Sequence, residues 1–216
     1  MPFIAETGGQ NALFADSTAL LEQLTDDVVR SAFLSAGQRC SALRLLYVQD
    51  DIAEDALTMI RGAMAELRIG PPEQLSTDVG PLIDEAARRA LDTHVQACVT
   101  AGLKVFQVPL PETCRSGSYF APTLIELDRI ERLEEEHFGP VLHVLTFGAD
   151  EIDQAVAKVV GLGYGLTLGI HTRIDGRAMR IAAQARVGNT YVNRNIIGAV
   201  VGVQPFGGEG LSGTGP

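Results

Sequence analysis

Cys40 is the residue of this sequence whose surroundings could most readily make a side chain nucleophilic. It lies in the segment Ser35–Ala42, after a predicted helix ends and before a predicted strand begins. A loop in that position can expose a thiol and surround it with backbone N–H groups, and the neighbouring Arg39 could favour the reactive thiolate. The alternative is that Cys40 is a small buried apolar residue, which is the usual role of an unpaired cysteine.

Three further segments could supply a carboxylate or shape a pocket. Glu6 precedes a Gly-Gly turn, and such a turn can bring a neighbouring acid close to a site. The acidic run Glu134–Glu136 leads into His137–Pro140, and Pro205–Gly208 is a rigid turn with an aromatic ring. Each segment also has an ordinary interpretation when taken singly. Glu6 could be a solvated loop acid, the acidic run a charged helix face, and Pro205–Gly208 an ordinary loop. No metal site is expected, because neither H-E-x-x-H nor a paired-histidine spacing occurs.

The composition is that of a globular protein with a sizeable core. Hydrophobic residues make up 46% of the 216 residues and charged residues 20%, and the formal net charge is -10. Phosphate binding needs clustered Lys and Arg, so nucleic acid is not an expected partner. No apolar run is long enough to span a membrane, and no secretory signal is expected. The three cysteines form no C-x-x-C pair, so the cytoplasm is the expected compartment, with the mitochondrial matrix as the alternative.

The elements that must position these residues alternate between helices and strands. Helices are predicted from Asp16 or Ser17 to Gly37, from Asp50 or Asp51 to Leu67, from Asp84 to Gly102, from Asp150 to Val159, and over 177–185. Strands are predicted over 43–48, 105–108, 119–127, 141–147, 165–171 and 189–193. This alternation predicts an α/β domain with a largely parallel sheet flanked by helices.

The segment Gly208–Gly213 formally matches the dinucleotide fingerprint G-x-G-x-x-G. In that fingerprint the glycines open a helix whose N-terminus holds a pyrophosphate. The sequence leaves no room for such a helix after residue 213. We therefore do not expect this segment to bind a dinucleotide.

Four motifs, taken together in order and spacing, resemble the aldehyde dehydrogenase superfamily. They are Glu-x-Gly-Gly at Glu6, Gly-Gln-x-Cys ending at Cys40, Glu-x-Phe-Gly-Pro starting at Glu136, and Pro-Phe-Gly-Gly over 205–208. The resemblance runs through essentially the whole chain. It implies the aldehyde dehydrogenase catalytic-domain fold over residues 1–216. Residues 1–36 would include the segment that joins this domain to a dinucleotide-binding domain absent from this sequence.

Two segments, Arg39–Ala42 and Tyr191–Gly208, are similar to the pyrroline-5-carboxylate dehydrogenases, in particular to those of the bifunctional proline utilisation A type. This resemblance implies NAD-dependent oxidation of glutamate γ-semialdehyde, the open form of pyrroline-5-carboxylate, to glutamate in proline catabolism. A different aldehyde specificity within the superfamily is the near alternative. A truncated, non-catalytic oligomerisation remnant is the alternative from another class. The isolated chain could be inactive, because the main NAD-binding domain would lie outside it.

The resemblance also implies catalytic and cofactor-binding roles. Cys40 would attack the aldehyde carbon and carry a thiohemiacetal and then a thioester. Glu6 would activate the water that hydrolyses the thioester. Glu136 would bind the nicotinamide ribose of NAD, and Phe138 would contact the nicotinamide.

The remaining implied roles concern the substrate and the assembly. The amino-acid end of the substrate is assigned to Ser41, Gly198 and Ala199, with Arg39 adding favourable charge, and the flank of the aldehyde pocket to Phe206. A small aldehyde is the expected partner, within a homo-oligomer or a larger bifunctional chain. No function is assigned to Cys98 or Cys114, and the four histidines are expected to be structural or exposed.

Overall fold

A seven-stranded sheet carries the core of the computed structural model, which describes residues 5–200 and 202–215. The strands, in chain order, are β1 (Asn11–Ala15), β2 (Leu43–Gln49), β3 (Lys104–Gln107), β4 (Thr123–Glu126), β5 (Val141–Phe147), β6 (Tyr164–Gly165), β7 (Thr167–His171), β8 (Asn189–Val192) and β9 (Glu209–Gly210). The sheet order is β3-β4-β5-β2-β1-β7-β8, and all neighbours run parallel except β3 and β4. Strands β6 and β9 form a separate antiparallel pair. The predicted α/β class with a largely parallel sheet is confirmed.

Among the described residues, five α-helices flank the sheet: α1 (Leu21–Phe33), α2 (Asp50–Ala65), α3 (Glu85–Thr100), α4 (Ile152–Gly161) and α5 (Asp175–Gln184). The central strands β1 and β2 are buried along their whole length, as expected for parallel strands covered on both faces. Helices α1 and α2 pack against each other and against β2. Their apolar stripes point to the sheet through residues such as Leu24, Val28 and Ile60.

The helix starts show which predicted caps form. Asp84 caps α3 as predicted, and its carboxylate accepts the N–H of Ala87 at 2.8 Å. The predicted cap at Asp16 or Ser17 is wrong, because α1 begins only at Leu21. The buried Asp16 instead closes a turn by accepting the N–H of Thr18 at 2.7 Å. Helix α4 likewise begins at Ile152 rather than at Asp150.

One interior strand of the sheet, β1, was not predicted from the sequence. It lies between β2 and β7, so the rest of the sheet is assembled around it. Strand β1 and helix α1 both belong to the core, and the expectation that residues 1–36 include a segment joining a further domain stays a prediction. Residues 1–4 lie outside the described part of the chain.

The motif residues lie together at the end of the parallel sheet where the N-termini of its strands meet. Glu6, Cys40 and Glu136 each precede a strand, namely β1, β2 and β5, and these three strands are neighbours. The chain after β8 returns to the same end, where Asn189 Nδ2 donates to the carbonyl of Pro205 at 3.0 Å. Segments that are far apart in sequence thus meet at one end of the sheet.

Within residues 5–200 and 202–215, no helix has the length and apolar character needed to cross a membrane. The same residues contain no cluster of three or more His, Cys, Asp or Glu side chains arranged to hold a metal ion.

Candidate active site

The loop that carries Cys40 begins with an unusual change of chain direction. After α1 ends, Ser35, Ala36 and Gly37 all have positive φ angles, of 58°, 53° and 64°. Only glycine fits the third position, because a Cβ on Gly37 would lie 2.2 Å from the carbonyl oxygen of Gly139. The left-handed turn therefore brings the chain from the end of α1 against the segment that precedes β5.

Asn11, the first residue of β1, holds the loop that carries Cys40 through side-chain hydrogen bonds. Its side-chain Nδ2 donates to the carbonyl of Cys40 at 2.7 Å and to that of Ala42 at 2.8 Å. Its Oδ1 accepts the N–H of Thr167, the first residue of β7, at 3.1 Å. The Asn11 side chain is buried, so these bonds join the cysteine loop to two central strands.

The Cys40 side chain is partly exposed and faces a cavity of about 460 Å³. Burial raises the pKa of the Cys40 thiol, and the negative charges of Glu136 and Glu6 raise it further. The backbone N–H groups of Ser41 and of Cys40 itself act in the opposite direction and lower the pKa. The cavity is lined by Gln38, Arg39, Cys40, Ser41, Ile197, Ala199, Val200 and Phe206.

Arg39 does not activate the thiol in the way that its position in the sequence suggests. Its side chain is exposed, and its Nε donates to Ser35 Oγ at 3.1 Å. The pKa of Cys40 is raised rather than lowered, with burial as the main cause. Arg39 lines the cavity, but solvent screens its charge and its Nε hydrogen bond goes to the preceding turn.

Glu6 presents one bound and one free carboxylate oxygen. Its Oε2 accepts the N–H of Gly208 at 2.8 Å. Its Oε1 is buried and, among the described residues, has no hydrogen-bond partner. Because Glu6 contributes to the raised pKa of Cys40, the carboxylate and the thiol lie within electrostatic reach of each other. A buried acceptor without a protein partner is suited to hold a water molecule.

Glu136 and Phe138 lie together in the loop before β5. The side chain of Glu136 is 14% exposed, and its Oε2 accepts the N–H of Gly9 at 3.1 Å. Its Oε1 accepts two bonds from the guanidinium of Arg44, at 3.3 and 3.2 Å. Burial raises the pKa of Glu136, and the charge of Arg44 opposes this shift. Phe138 is 43% exposed, so its ring offers an apolar surface beside the carboxylate.

The far wall of the cavity comes from the segment after β8. Ala199 and Phe206 line the cavity, whereas Gly198 does not. A Cβ on Gly198 would lie 2.2 Å from Arg194 Nη2, so a side chain there would displace the arginine. The segment is tied to β8 because Gln204 Nε2 donates to Tyr191 Oη at 3.1 Å. The position of residue 201 is not described.

Two residues that the sequence reasoning missed hold the site together, namely Asn11 and Arg44. Asn11 is a polar residue at the head of the apolar run 12–15, a signal that could have marked it as a buried polar anchor. Arg44 is a charge inside the predicted strand 43–48, where every neighbour is apolar. A buried arginine in a parallel strand requires dedicated acceptors, which its position in the sequence does not identify.

Comparisons with known proteins agree with this arrangement. The aldehyde dehydrogenase family model matches residues 1–216. The chain is 54% identical over 221 residues to the bifunctional protein PutA of Escherichia coli, covering 100% of this chain and 17% of that protein. It is 32% identical over 213 residues to the 1-pyrroline-5-carboxylate dehydrogenase of Geobacillus, covering 98% of this chain and 41% of the relative.

A solved structure extends the agreement to three dimensions. A crystal structure of a variant of Bradyrhizobium japonicum proline utilization A superposes with a TM-score of 0.94 at 53% identity. The match covers 100% of this chain and 22% of that one. The chain thus spans less than half of the length of each relative named here, from 17% to 41%.

Proposed function

Because this chain belongs to the aldehyde dehydrogenase family, we propose that it is the catalytic part of an enzyme that oxidises glutamate γ-semialdehyde to glutamate with NAD. The observation that carries the proposal is one cavity that exposes Cys40 and is bordered by Ala199 and Phe206, with the free oxygen of Glu6 within electrostatic reach. The similarity to proline utilisation proteins and to a 1-pyrroline-5-carboxylate dehydrogenase supports the choice of substrate.

The first half of the reaction is assigned to Cys40. Its thiolate attacks the aldehyde carbon, and the carbonyl oxygen becomes an oxyanion that the N–H of Cys40 is placed to bind. Loss of hydride from the resulting thiohemiacetal carbon leaves a thioester on Sγ. Because the pKa of Cys40 is raised, the thiol first gives its proton to solvent water, which reaches the partly exposed side chain.

The second half is assigned to Glu6. A water held by its free Oε1 loses a proton to the carboxylate and attacks the thioester carbon. Cleavage of the carbon–sulfur bond releases the carboxylic acid and regenerates the thiolate. The bond from the Gly208 N–H to Oε2 keeps the carboxylate oriented between these steps.

The residues at the Glu136 end fit the nicotinamide riboside part of NAD. A carboxylate is the acceptor that two ribose hydroxyls require, and Glu136 is oriented for this role by Arg44 and Gly9. The exposed ring of Phe138 provides an apolar surface for a nicotinamide. When bound, NAD supplies the hydride acceptor. The main binding surface for the dinucleotide would belong to a part of the protein outside this chain.

The amino-acid end of the substrate is assigned to the residues beside Cys40 and to the segment after β8. Ser41 and Ala199 line the cavity there, and Arg39 at its rim adds positive charge for a carboxylate. Gly198 precedes Ala199 in the same segment, where backbone N–H groups can also bind a carboxylate. Phe206 would flank the aldehyde carbon chain. We further propose that the enzyme is cytoplasmic and works as a homo-oligomer or within a larger bifunctional chain. The name of the Escherichia coli relative, bifunctional protein PutA, supports the last of these.

Kinetics of the full-length protein test the substrate assignment. We expect kcat/KM for glutamate γ-semialdehyde to exceed that for butanal by at least about 100-fold, since each hydrogen bond to a charged carboxylate contributes about 1.5–3 kcal/mol and several would act together. Formation of NADH reports the rate. A preference for butanal would overturn the proline-catabolic assignment and leave a different aldehyde specificity. No NADH with any aldehyde would overturn the enzymatic proposal and favour an oligomerisation role.

A further inference from the structure

Among the described residues, Arg44 has the largest fully buried side chain, and the proposed function uses it only to orient Glu136. A guanidinium has five N–H groups and no acceptor, so each buried N–H requires an oxygen. Arg44 makes five such bonds, to Glu136 (two bonds) and to the carbonyls of Gly37, Arg39 and Gly139. All five donors of this side chain are therefore satisfied.

Two of these acceptors belong to the cysteine loop. Nη1 donates to the carbonyl of Gly37 at 2.7 Å, and Nη2 donates to the carbonyl of Arg39 at 3.2 Å. The carbonyl of Arg39 and the N–H of Cys40 belong to one planar, trans peptide group and point in opposite directions. Fixing the Arg39 carbonyl therefore also fixes the direction of the Cys40 N–H, which is one of the two groups that stabilise the thiolate.

The other acceptors belong to the loop before β5. Nε and Nη2 both bind Glu136 Oε1, and Nη1 binds the carbonyl of Gly139 at 3.1 Å. The guanidinium carbon also lies 4.9 Å from the centre of the Phe138 ring. Without this charge, burial would favour the protonated form of Glu136, which is a poorer acceptor for two hydroxyls.

We propose that Arg44 is a positioning residue that couples the Cys40 backbone N–H to the Glu136 and Phe138 side of the cavity. One rigid, planar group would thereby set the geometry of the nucleophile and that of the cofactor-facing loop together. Lysine cannot replace it, because a single ammonium offers three donors at one point rather than five in a plane. The inference deepens the proposed function and rests on it for the identity of the cofactor.

The test compares Arg44→Lys with wild type in the full-length protein, with Arg61→Lys as the matched control. Arg61 also pairs with a carboxylate, that of Glu126, but it lies on α2 away from the cavity. In Arg44→Lys we expect KM for NAD to rise at least about tenfold, the loss expected for one or two charge-assisted bonds. KM for the aldehyde should change less. Arg61→Lys should leave both constants unchanged.

A second readout needs neither NAD nor turnover. The rate of iodoacetamide alkylation at Cys40, followed by mass spectrometry of its peptide, gives the pH midpoint of the thiol. We expect this midpoint to move to higher pH in Arg44→Lys and to stay in place in Arg61→Lys. A role limited to overall stability would lower Tm without moving the midpoint. Where Arg44→Ala can be purified, an added alkylguanidine should move the midpoint back toward the wild-type value.

The outcomes separate the two proposals. A wild-type protein that forms no NADH overturns the proposed function, while the alkylation profile still tests the effect of Arg44 on Cys40. A wild-type protein that forms NADH, together with an Arg44→Lys variant whose NAD KM and thiol midpoint equal those of wild type, overturns the role of Arg44. A shift of both quantities in Arg44→Lys alone supports it.

Discussion

At the scale of single residues, the chemistry of the site depends on which carboxylate oxygens and backbone N–H groups are not already hydrogen-bonded within the protein. Glu6 uses one carboxylate oxygen for the Gly208 N–H and keeps the other buried without a partner among the described residues. Cys40 lies between backbone donors that stabilise its thiolate and carboxylates that destabilise it. This balance favours a thiol that is reactive only when its loop is correctly ordered.

Replacing Glu6 by Gln should separate the two halves of the reaction. The amide cannot take a proton from water, so hydrolysis of the thioester should slow by about 100-fold or more, the usual contribution of a general base. Hydride transfer should still give a burst of NADH equal to the enzyme concentration in a stopped-flow trace. The exposed acid Glu134, changed to Gln, is the control. Loss of the burst along with turnover would mean that Glu6 acts before the thioester forms.

Replacing Asn11 by Ala should change the backbone geometry on the C-terminal side of Cys40. Asn11 fixes the carbonyl of Cys40, and therefore the N–H of Ser41 in the same peptide group. We expect the free energy of unfolding to fall by about 1–3 kcal/mol and the pH midpoint of Cys40 alkylation to rise. Gln184→Ala, which removes a surface hydrogen bond to Asp153, is the control. An unchanged alkylation profile would show that Asn11 is structural only.

At the scale of elements, the site depends on how two loops meet. The turn after α1 and the loop before β5 touch where Gly37 faces the carbonyl of Gly139. Three consecutive positive φ angles bring the chain to that contact, and each costs about 1–3 kcal/mol for a residue other than glycine. The hydrogen bonds of Arg44 to both loops offset this strain.

A pair of glycine substitutions tests this contact. In Gly37→Ala the new methyl group would lie 2.2 Å from the Gly139 oxygen at a positive φ, so the loops must separate. We expect a loss of at least about 2 kcal/mol in urea unfolding and slower alkylation of Cys40. Gly62→Ala, in the last turn of α2 with nothing within 4 Å of the added Cβ, should instead stabilise the protein by about 0.5–1 kcal/mol. Equal effects of the two substitutions would contradict the close-contact explanation.

Helix α3 meets β5 through a chain of neutral histidines. Because His143 Nδ1 lies 3.0 Å from the carbonyl of Arg44, it donates there, and His143 Nε2 accepts from His94 Nε2 at 2.8 Å. The ring of His137 stacks on that of His94 with centroids 3.4 Å apart. Burial lowers the pKa values of His94 and His137 to about 4, and that of fully buried His143 falls well below its ordinary value. The expectation that these histidines are structural or exposed stays a prediction. All three pack close to one another, and His143 contacts the backbone of Arg44.

These lowered pKa values make stability depend on pH. Between about pH 4 and 6.5 the unfolded chain binds more protons than the folded protein, so the free energy of unfolding should fall as the pH is lowered through that range. The dependence should level off below the folded-state values. Urea unfolding at several pH values measures the slope, and His94→Gln should reduce it. A wild-type stability that stays constant from about pH 7 to about pH 4.5 would contradict the neutral histidine chain.

At the scale of the whole molecule, the sequence predicts the architecture better than it predicts the supports of the site. Long elements with clear periodicity, such as α3 with its Asp84 cap and β5 over 141–147, are predicted well. The interior strand β1 escapes prediction because its five buried residues show no alternation and form a run too short to distinguish a strand from a buried helix segment. The four motifs find Cys40, Glu6, Glu136 and Phe138, and the sheet topology then explains why they meet.

Long-range hydrogen bonds account for what the sequence does not predict. Arg44 and Glu136 are far apart in the chain, and nothing local to either indicates that they pair. The unfavourable sign of the Cys40 pKa shift also depends on tertiary burial, which outweighs the adjacent Arg39 that the sequence displays. Such terms follow from packing across the sheet rather than from spacing along the chain.

The central claim, that Cys40 is the nucleophile of an aldehyde-oxidising site, is tested most directly by removing its thiol. The full-length protein, its Cys40→Ser variant and a Cys114→Ala control, whose buried thiol lies outside the cavity, would each be given glutamate γ-semialdehyde and NAD. We expect wild type and the control to form NADH and glutamate in equal amounts, and Cys40→Ser to be slower by at least about 1,000-fold. Oxidation at a wild-type rate in Cys40→Ser would contradict the assignment.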